Sequence, residues 1–174
     1  MRNGDWMSGF PLCLLVVLAA TLALAPTGDA ESRDPKPPQV SVDFFYPPGL
    51  LIQHGTPRLV YEMRVSNYVP LTYVLDAIDV IAGSQSFGFS GDTLRKMMRF
   101  QGEKAATAVS TTVAPGQSAV IFFTLELRNR SNIPQALVHI LHFTSPDGVK
   151  HALTPEPLIV KQGGPLIIQP PTAR

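Results

Sequence analysis

This chain is poor in the residues on which most protein chemistry depends. Among its 174 residues there is one cysteine, Cys13, and four histidines, His54, His139, His142 and His151. Cys13 lies in an N-terminal apolar run, so the rest of the chain can build neither a disulfide framework nor thiol chemistry. Lysine and arginine form no tract and do not interleave with aromatics. With 14 Lys+Arg against 13 Asp+Glu, the charge balance is too mild for an electrostatic nucleic-acid binder. No internal repeat is visible. The longest uncharged apolar run, Pro11–Ala25, has 15 residues, fewer than the ~20 that a spanning helix needs.

That run has the length of a signal-peptide core. Arg2 gives it a weakly positive start, and two small-x-small sites follow it, Ala23-Leu-Ala25 and Gly28-Asp-Ala30. Pro26 would sit just after the first cut, so cleavage is expected after Ala30. Cys13 stands at the start of the run and is not a lipoprotein acceptor. An uncleaved N-terminal anchor is the alternative. The sequence therefore predicts a leader over 1–30 and a secreted or periplasmic product with no stable membrane span. The exported part carries 13 Lys+Arg and 11 Asp+Glu, a net +2. Export without any cysteine suits a bacterial envelope better than an animal secretory pathway.

Beyond the leader, 31–39 reads as a flexible Pro-rich linker (Asp34-Pro-Lys-Pro-Pro38). A sandwich domain is expected over 40–166 and a tail over 167–174. The domain shows a period of two. After Pro115-Gly116, Ile121, Phe123, Leu125 and Leu127 fall on one face and Val120, Phe122, Thr124 and Glu126 on the other. Leu59, Tyr61, Met63 and Val65 alternate with outward Glu62, Arg64 and Ser66. In a strand over Tyr73–Ile81, strict alternation sets Val74, Ile78 and Val80 against Tyr73, Leu75 and Ile81. Val40, Val42 and Phe44 form a first strand, and Phe87–Phe89 a short edge. Ser145-Pro-Asp-Gly148 joins two further strands as a hairpin. Asp92 is the expected N-cap of one short helix, Thr93–Arg99, with Leu94, Met97 and Met98 on its apolar face. The fold class is all-β: an immunoglobulin-like antiparallel β-sandwich of about seven strands with one short helix.

Several segments occur in a familiar order. They are Arg58-Leu-Val-Tyr-Glu-Met-Arg-Val-Ser-Asn67, Val74–Val80, Val113-Ala-Pro-Gly-Gln-Ser-Ala-Val120, Leu137-Val-His-Ile-Leu-His-Phe143 and Gly163-Gly-Pro165. Over residues 40–166 the chain resembles the β-sandwich domain that precedes the catalytic domain in secreted bacterial lysostaphin-like zinc peptidases. Leu166 follows where that family usually carries tryptophan. The resemblance implies a peptidase domain after Gly163-Gly-Pro165, but the sequence ends at Arg174. The zinc site of that family needs a His-x-x-x-Asp pair and a His-x-His pair, so that three ligands converge and a fourth position holds water. Neither pair occurs. His54 has Arg58 four residues on and His142 has Pro146, while His139 and His142 fall on opposite faces of a strand.

No other constellation carries chemistry. Gly88-Phe-Ser-Gly-Asp92 lacks the glycine spacing of a nucleophile elbow and reads as a turn into the helix. Strict alternation puts Asp76 and Asp79 on opposite faces. Met97-Met98 is better used as core than as a copper site, and Asn129-Arg-Ser131 matches the glycosylation pattern by chance. The expectation is an exported, non-catalytic module with no metal and no cofactor. Its partner is a cell-wall polymer or an envelope protein, and the cations Arg95, Lys96 and Arg99 are its candidate binding residues. A protein-partner module such as a protease inhibitor or periplasmic chaperone is the alternative.

Overall fold

A computed structural model describes residues 38–102, 108, 110–130 and 133–161. The expected leader, most of the linker, Gly163-Gly-Pro165 and the tail lie outside these residues, as does Ser131. Among the described residues, alternating side chains with β-branched and aromatic enrichment form eleven strands in two antiparallel sheets. In the first sheet β1 (Val40–Asp43), β3 (Thr56–Asn67), β8 (Ser118–Glu126) and β6 (Met98–Phe100) lie in that order, with β2 (Gly49–Gln53) also on β3. In the second the order is β10 (Lys150–Leu153), β9 (Ala136–Thr144), β4 (Tyr73–Ala82) and β5 (Gln85–Ser90). Short β7 (Thr112–Val113) joins β4, and β11 (Leu158–Ile159) joins β9. In immunoglobulin lettering these are the A-B-E-D and G-F-C-C′ sheets, joined as that fold joins them. Strands β2, β6 and β7 raise the count above the seven or so expected. Each has five residues or fewer, and no alternation long enough to read marks it, whereas β11 falls where a last strand over Leu158–Val160 was expected.

The core lies between the sheets. Leu59, Tyr61 and Met63 stand opposite Leu125, Phe123 and Ile121 in register, and all six are buried. Tyr61 and Phe123 stack at 4.8 Å. The second sheet contributes Leu75, Ile78, Val80, Leu137, Leu141 and Phe143. Turn chemistry fixes the registers. His54 and Gly55 both take positive φ (49° and 83°), the type I′ geometry that closes the β2–β3 hairpin. Pro115-Gly116 makes a turn closed by Gln117 N–H on the Ala114 carbonyl (3.0 Å). At the end of β3, buried Asn67 donates to the carbonyls of Leu71 and Val113 and accepts from Val69 N–H. One side chain thereby joins the two sheets. Ser66 points outward in parity yet is buried, its hydroxyl bonded to that of Ser118.

Two expectations need correction. In β4 the register slips between Leu75 and Ala77. This bulge resets the phase, so Tyr73, Leu75, Ile78, Val80 and Ala82 are all buried while Val74, Asp76 and Ile81 are exposed. Strict alternation had placed Val74 with Ile78 and Val80, because one extra residue leaves no compositional mark. The helix α1 spans Gly91–Met97, and Ser90 rather than Asp92 is its N-cap. Met98 and Arg99 belong to β6, paired with Ile121 and Val120. The glycine-rich approach Gly88-Phe-Ser90 is strand, and Gly91, at φ 52°, makes the bend. Among the described residues no helix is long and apolar enough to cross a membrane.

Candidate functional site

The cations nominated by sequence are divided between two elements. Arg95 and Lys96 lie on α1, while Arg99 lies on β6. Arg95 is paired with Asp92 at 2.6 Å, and such exposed pairs contribute little to stability. Arg99 directs Nη1 at the carbonyls of Lys96 and Met98 (3.0 and 2.6 Å), closing the helix C-terminus. That is the end at which the helix dipole favours positive charge. Two of the three guanidinium or ammonium groups therefore already have intramolecular partners, and Lys96 is the exposed one.

The histidines also part company. His139 is wholly buried, with Nε2 2.8 Å from the Tyr61 hydroxyl and rings from Phe44, Phe123 and Tyr61 around it. Burial lowers its pKa to about 4 and pushes the Tyr61 phenol far above its ordinary value. At neutral pH imidazole and phenol are both neutral and share one hydrogen bond whose direction the tautomer sets, and Nδ1 is left buried without a hydrogen-bond partner. His142 faces outward, Nε2 2.8 Å from Asp79 Oδ2. The β4 bulge brings Asp76 onto that same outer face, contrary to the alternation, where it accepts from the Thr144 hydroxyl at 2.6 Å. Each carboxylate has its own cross-strand partner, so the two do not act as a pair. Among the described residues no three His, Cys, Asp or Glu side chains stand close enough to share a metal ion.

A different feature offers a ligand a surface. Between the end of β1 and the segment leading into β11 lies an open groove of about 480 Å³. Phe44, Phe45, Pro155 and Pro157 supply its apolar lining, and Asp43, Arg64 and Glu156 its polar groups. The Arg64 guanidinium sits 4.4 Å from the Phe45 ring centroid and 3.1 Å from Asp43 Oδ2, which also accepts from Ser41. A cation–π contact and an ion pair thus hold one side of Phe45 while 48% of the residue stays exposed. Tyr46 beside it is 77% exposed. The sequence reading gave Phe44 to the first strand and passed over Phe45 and Tyr46. Two further aromatics between that strand and Pro47-Pro48 are the signal that could have found them, because Phe44 takes the place against the core and leaves its neighbours none.

No protein-family model and no curated protein matches the chain. Among solved structures, a structural-genomics target, SoR45, is similar over 76% of this chain and 95% of its own, at 11% identity and a TM-score of 0.47. The archaellum periplasmic stator protein FlaG from Sulfolobus acidocaldarius is similar over 66% of this chain and 98% of its own, at 8% identity and a TM-score of 0.26. Likenesses this distant identify no family for the chain and carry no inference about its work.

Proposed function

We propose that the chain is an exported, non-catalytic binding module of the bacterial envelope, an accessory domain akin to the one that precedes the peptidase in the lysostaphin-like family it resembles. Its ligand is a cell-wall polymer, held in the groove beside Phe45. The observation that carries this reading is the exposed Phe45 and Tyr46 pair, buttressed by Arg64 and rimmed by carboxylates. Flat apolar faces accept the C–H faces of sugar rings, and Asp43 and Glu156 accept hydrogen bonds from hydroxyls, the usual division of labour in a shallow binding site. The engagement of His139 by Tyr61 supports a structural rather than a chemical use of that histidine.

Co-sedimentation with isolated cell-wall sacculi tests the proposal, using the chain expressed from Glu31, which retains every described residue. The double variant F45A/Y46A should bind roughly tenfold more weakly, since two exposed aromatic contacts are lost, with its melting temperature nearly unchanged. Binding should persist in 0.5 M salt. Binding that vanishes with salt would move the contact to Arg95, Lys96 and Arg99, whose field is screened. Unaltered binding by F45A/Y46A would remove the groove, and metal-dependent hydrolysis of the sacculi by the wild type would remove the non-catalytic reading.

A further inference from the structure

Strand β5 is an edge without the usual protection. Among the described residues it pairs only with β4, and its sequence, Gln-Ser-Phe-Gly-Phe-Ser, holds neither charge nor proline. Exposed edges normally carry one or the other as a guard against pairing with another chain. Elsewhere in this fold they do: β1 has Asp43, β6 has Arg99, β10 has Lys150, and Pro157 directly precedes β11. Strand β2 is uncharged as well, but Pro47 and Pro48 stand before it, and uncharged β7 is only two residues long.

Residues 86–90, Ser-Phe-Gly-Phe-Ser, read the same in both directions about Gly88. An antiparallel neighbour reverses chain direction, so a palindromic strand laid against a second copy of itself meets identical chemistry at every position. The backbone is phased for it. The β4–β5 hairpin turns at Gly83 (φ 62°) and Ser84, with Ala82 opposite Gln85. In a two-residue hairpin that closing pair exchanges hydrogen bonds, as does every second pair beyond it. Phe87 and Phe89 therefore bond to Val80 and Ile78, while the N–H and C=O groups of Ser86 and Gly88, and the N–H of Ser90, point to the open side. Among the described residues, no hydrogen bond outside the β4 ladder occupies Ser86 or Gly88.

We propose that β5 is a homodimer interface, pairing antiparallel with the β5 of a second copy about a two-fold axis at Gly88. Ser86 then lies opposite the partner's Ser90, Phe87 opposite the partner's Phe89, and Gly88 opposite the partner's Gly88. The phenylalanine pairs take the non-hydrogen-bonded positions, where side chains approach most closely. Both rings are only partly buried at the rim of the core, so the partner's ring completes their cover. Glycine at the axis leaves the outer face low, with Asp79 Oδ1 only 3.3 Å from where a Cβ would sit. The two Asp79 carboxylates are kept apart by three strand spacings, about 14 Å, beyond the screening length of ~8 Å. The G-F-C-C′ sheets of two copies become one continuous sheet, and the interface is isologous as a two-fold requires.

The chain expressed from Glu31 should dimerise in sedimentation velocity as its concentration rises towards about 1 mM, a high ceiling because a short edge buries little area. S86K/S90K sets the introduced lysines directly opposite one another across the axis and should weaken dimerisation roughly tenfold or more. S86K/S90D presents the same lysine to an aspartate and should restore it. Because the exported part lacks cysteine, G88C provides a single thiol at the axis. Its Cα separation in a hydrogen-bonded pair, ~5.5 Å, is within disulfide range, so mild oxidation should give a covalent dimer. Circular dichroism confirms that each variant is folded. A chain that is monomeric throughout the range overturns the proposal. So does a dimer equally tight in S86K/S90K and S86K/S90D, which would place the contact on another surface.

Discussion

Acidification should destabilise this domain through one residue, His139. Its folded pKa is about 4, against an ordinary 6.5, because a charged imidazole would have to be buried among Phe44, Tyr61 and Phe123. The unfolded chain can take up that proton below pH 6.5, whereas the folded chain cannot until about pH 4. Folding stability is therefore fully present above pH 6.5 and falls as the pH drops from there to about 4. A gap of roughly 2.5 pH units amounts to ~3 kcal/mol in total, of which about 2 kcal/mol is lost by pH 5. Since His139 is fully buried, little of this is discounted by solvent. Urea unfolding at pH 7.5, 6.0 and 5.0 gives the wild-type slope, which also contains contributions from carboxylates. The same series on His139→Leu removes the titrating group and leaves the carboxylates. The variant also frees the Tyr61 hydroxyl from its partner, so Tyr61→Phe/His139→Leu is the better-matched control. The difference between wild type and double variant should shrink by about 2 kcal/mol between pH 7.5 and 5.0. Equal slopes would show that His139 is protonated in the fold as readily as in the open chain, and the reasoning from burial would fail.

Three further outcomes follow from the packing. Phe123→Ala should cost ~3–5 kcal/mol in urea unfolding, because it empties a site stacked on Tyr61 and met edge-on by Phe89; a loss below ~1 kcal/mol would mean that the site collapses freely. Asn67→Ala should cost ~2–4 kcal/mol by stranding the carbonyls of Leu71 and Val113 and the N–H of Val69, and a near-neutral result would show water taking its place. Lys96→Glu should leave the melting temperature within a degree or two, whereas Arg99→Ala should lower it measurably by opening the end of α1; equal effects would contradict the division of roles between them.

Sequence and structure agree wherever alternation runs uninterrupted against polar neighbours. Leu59 to Val65, Ile121 to Leu127 and the Ser145–Gly148 hairpin could be placed because period two and turn residues coincide there. The fold class rests on those segments. The inner face of β4 could not be read, because the phase change at Asp76 is a property of the pairing with β9 and of neither strand alone. Helix α1 was displaced for a related reason. Met98 suits an apolar helical face as well as a strand facing the core, and only the neighbouring Ile121 decides between them. Asp92 looks like a cap by residue type, yet Gly91 turns the chain one step earlier. At the site, charge drew attention to Arg95, Lys96 and Arg99 because unpaired cations are conspicuous in a string of letters. The carboxylate partner of Arg95 and the carbonyl partners of Arg99 appear only once the chain is folded. The groove at Phe45 was hidden for the opposite reason, since its far wall, Pro155 to Pro157, lies more than a hundred residues away.

The slip at Asp76 also sets which kinds of mutation this strand can absorb. Asp76 is exposed and lies opposite no residue of β9, so replacing it exchanges one solvated side chain for another, at the loss of a single bond to Thr144. Deleting it joins Leu75 to Ala77 and makes the alternation strict: Ala77 then points outward, Ile78 and Val80 stay inward, Asp79 stays outward, and every pair with β9 is kept. The bulge is therefore the one place in this strand where a residue can be lost as readily as exchanged. Deleting a paired residue elsewhere in β4 would instead turn part of the strand to the wrong face, unless the bulge moved to absorb the change. A relative of this chain would tolerate any side chain at the bulge, or none.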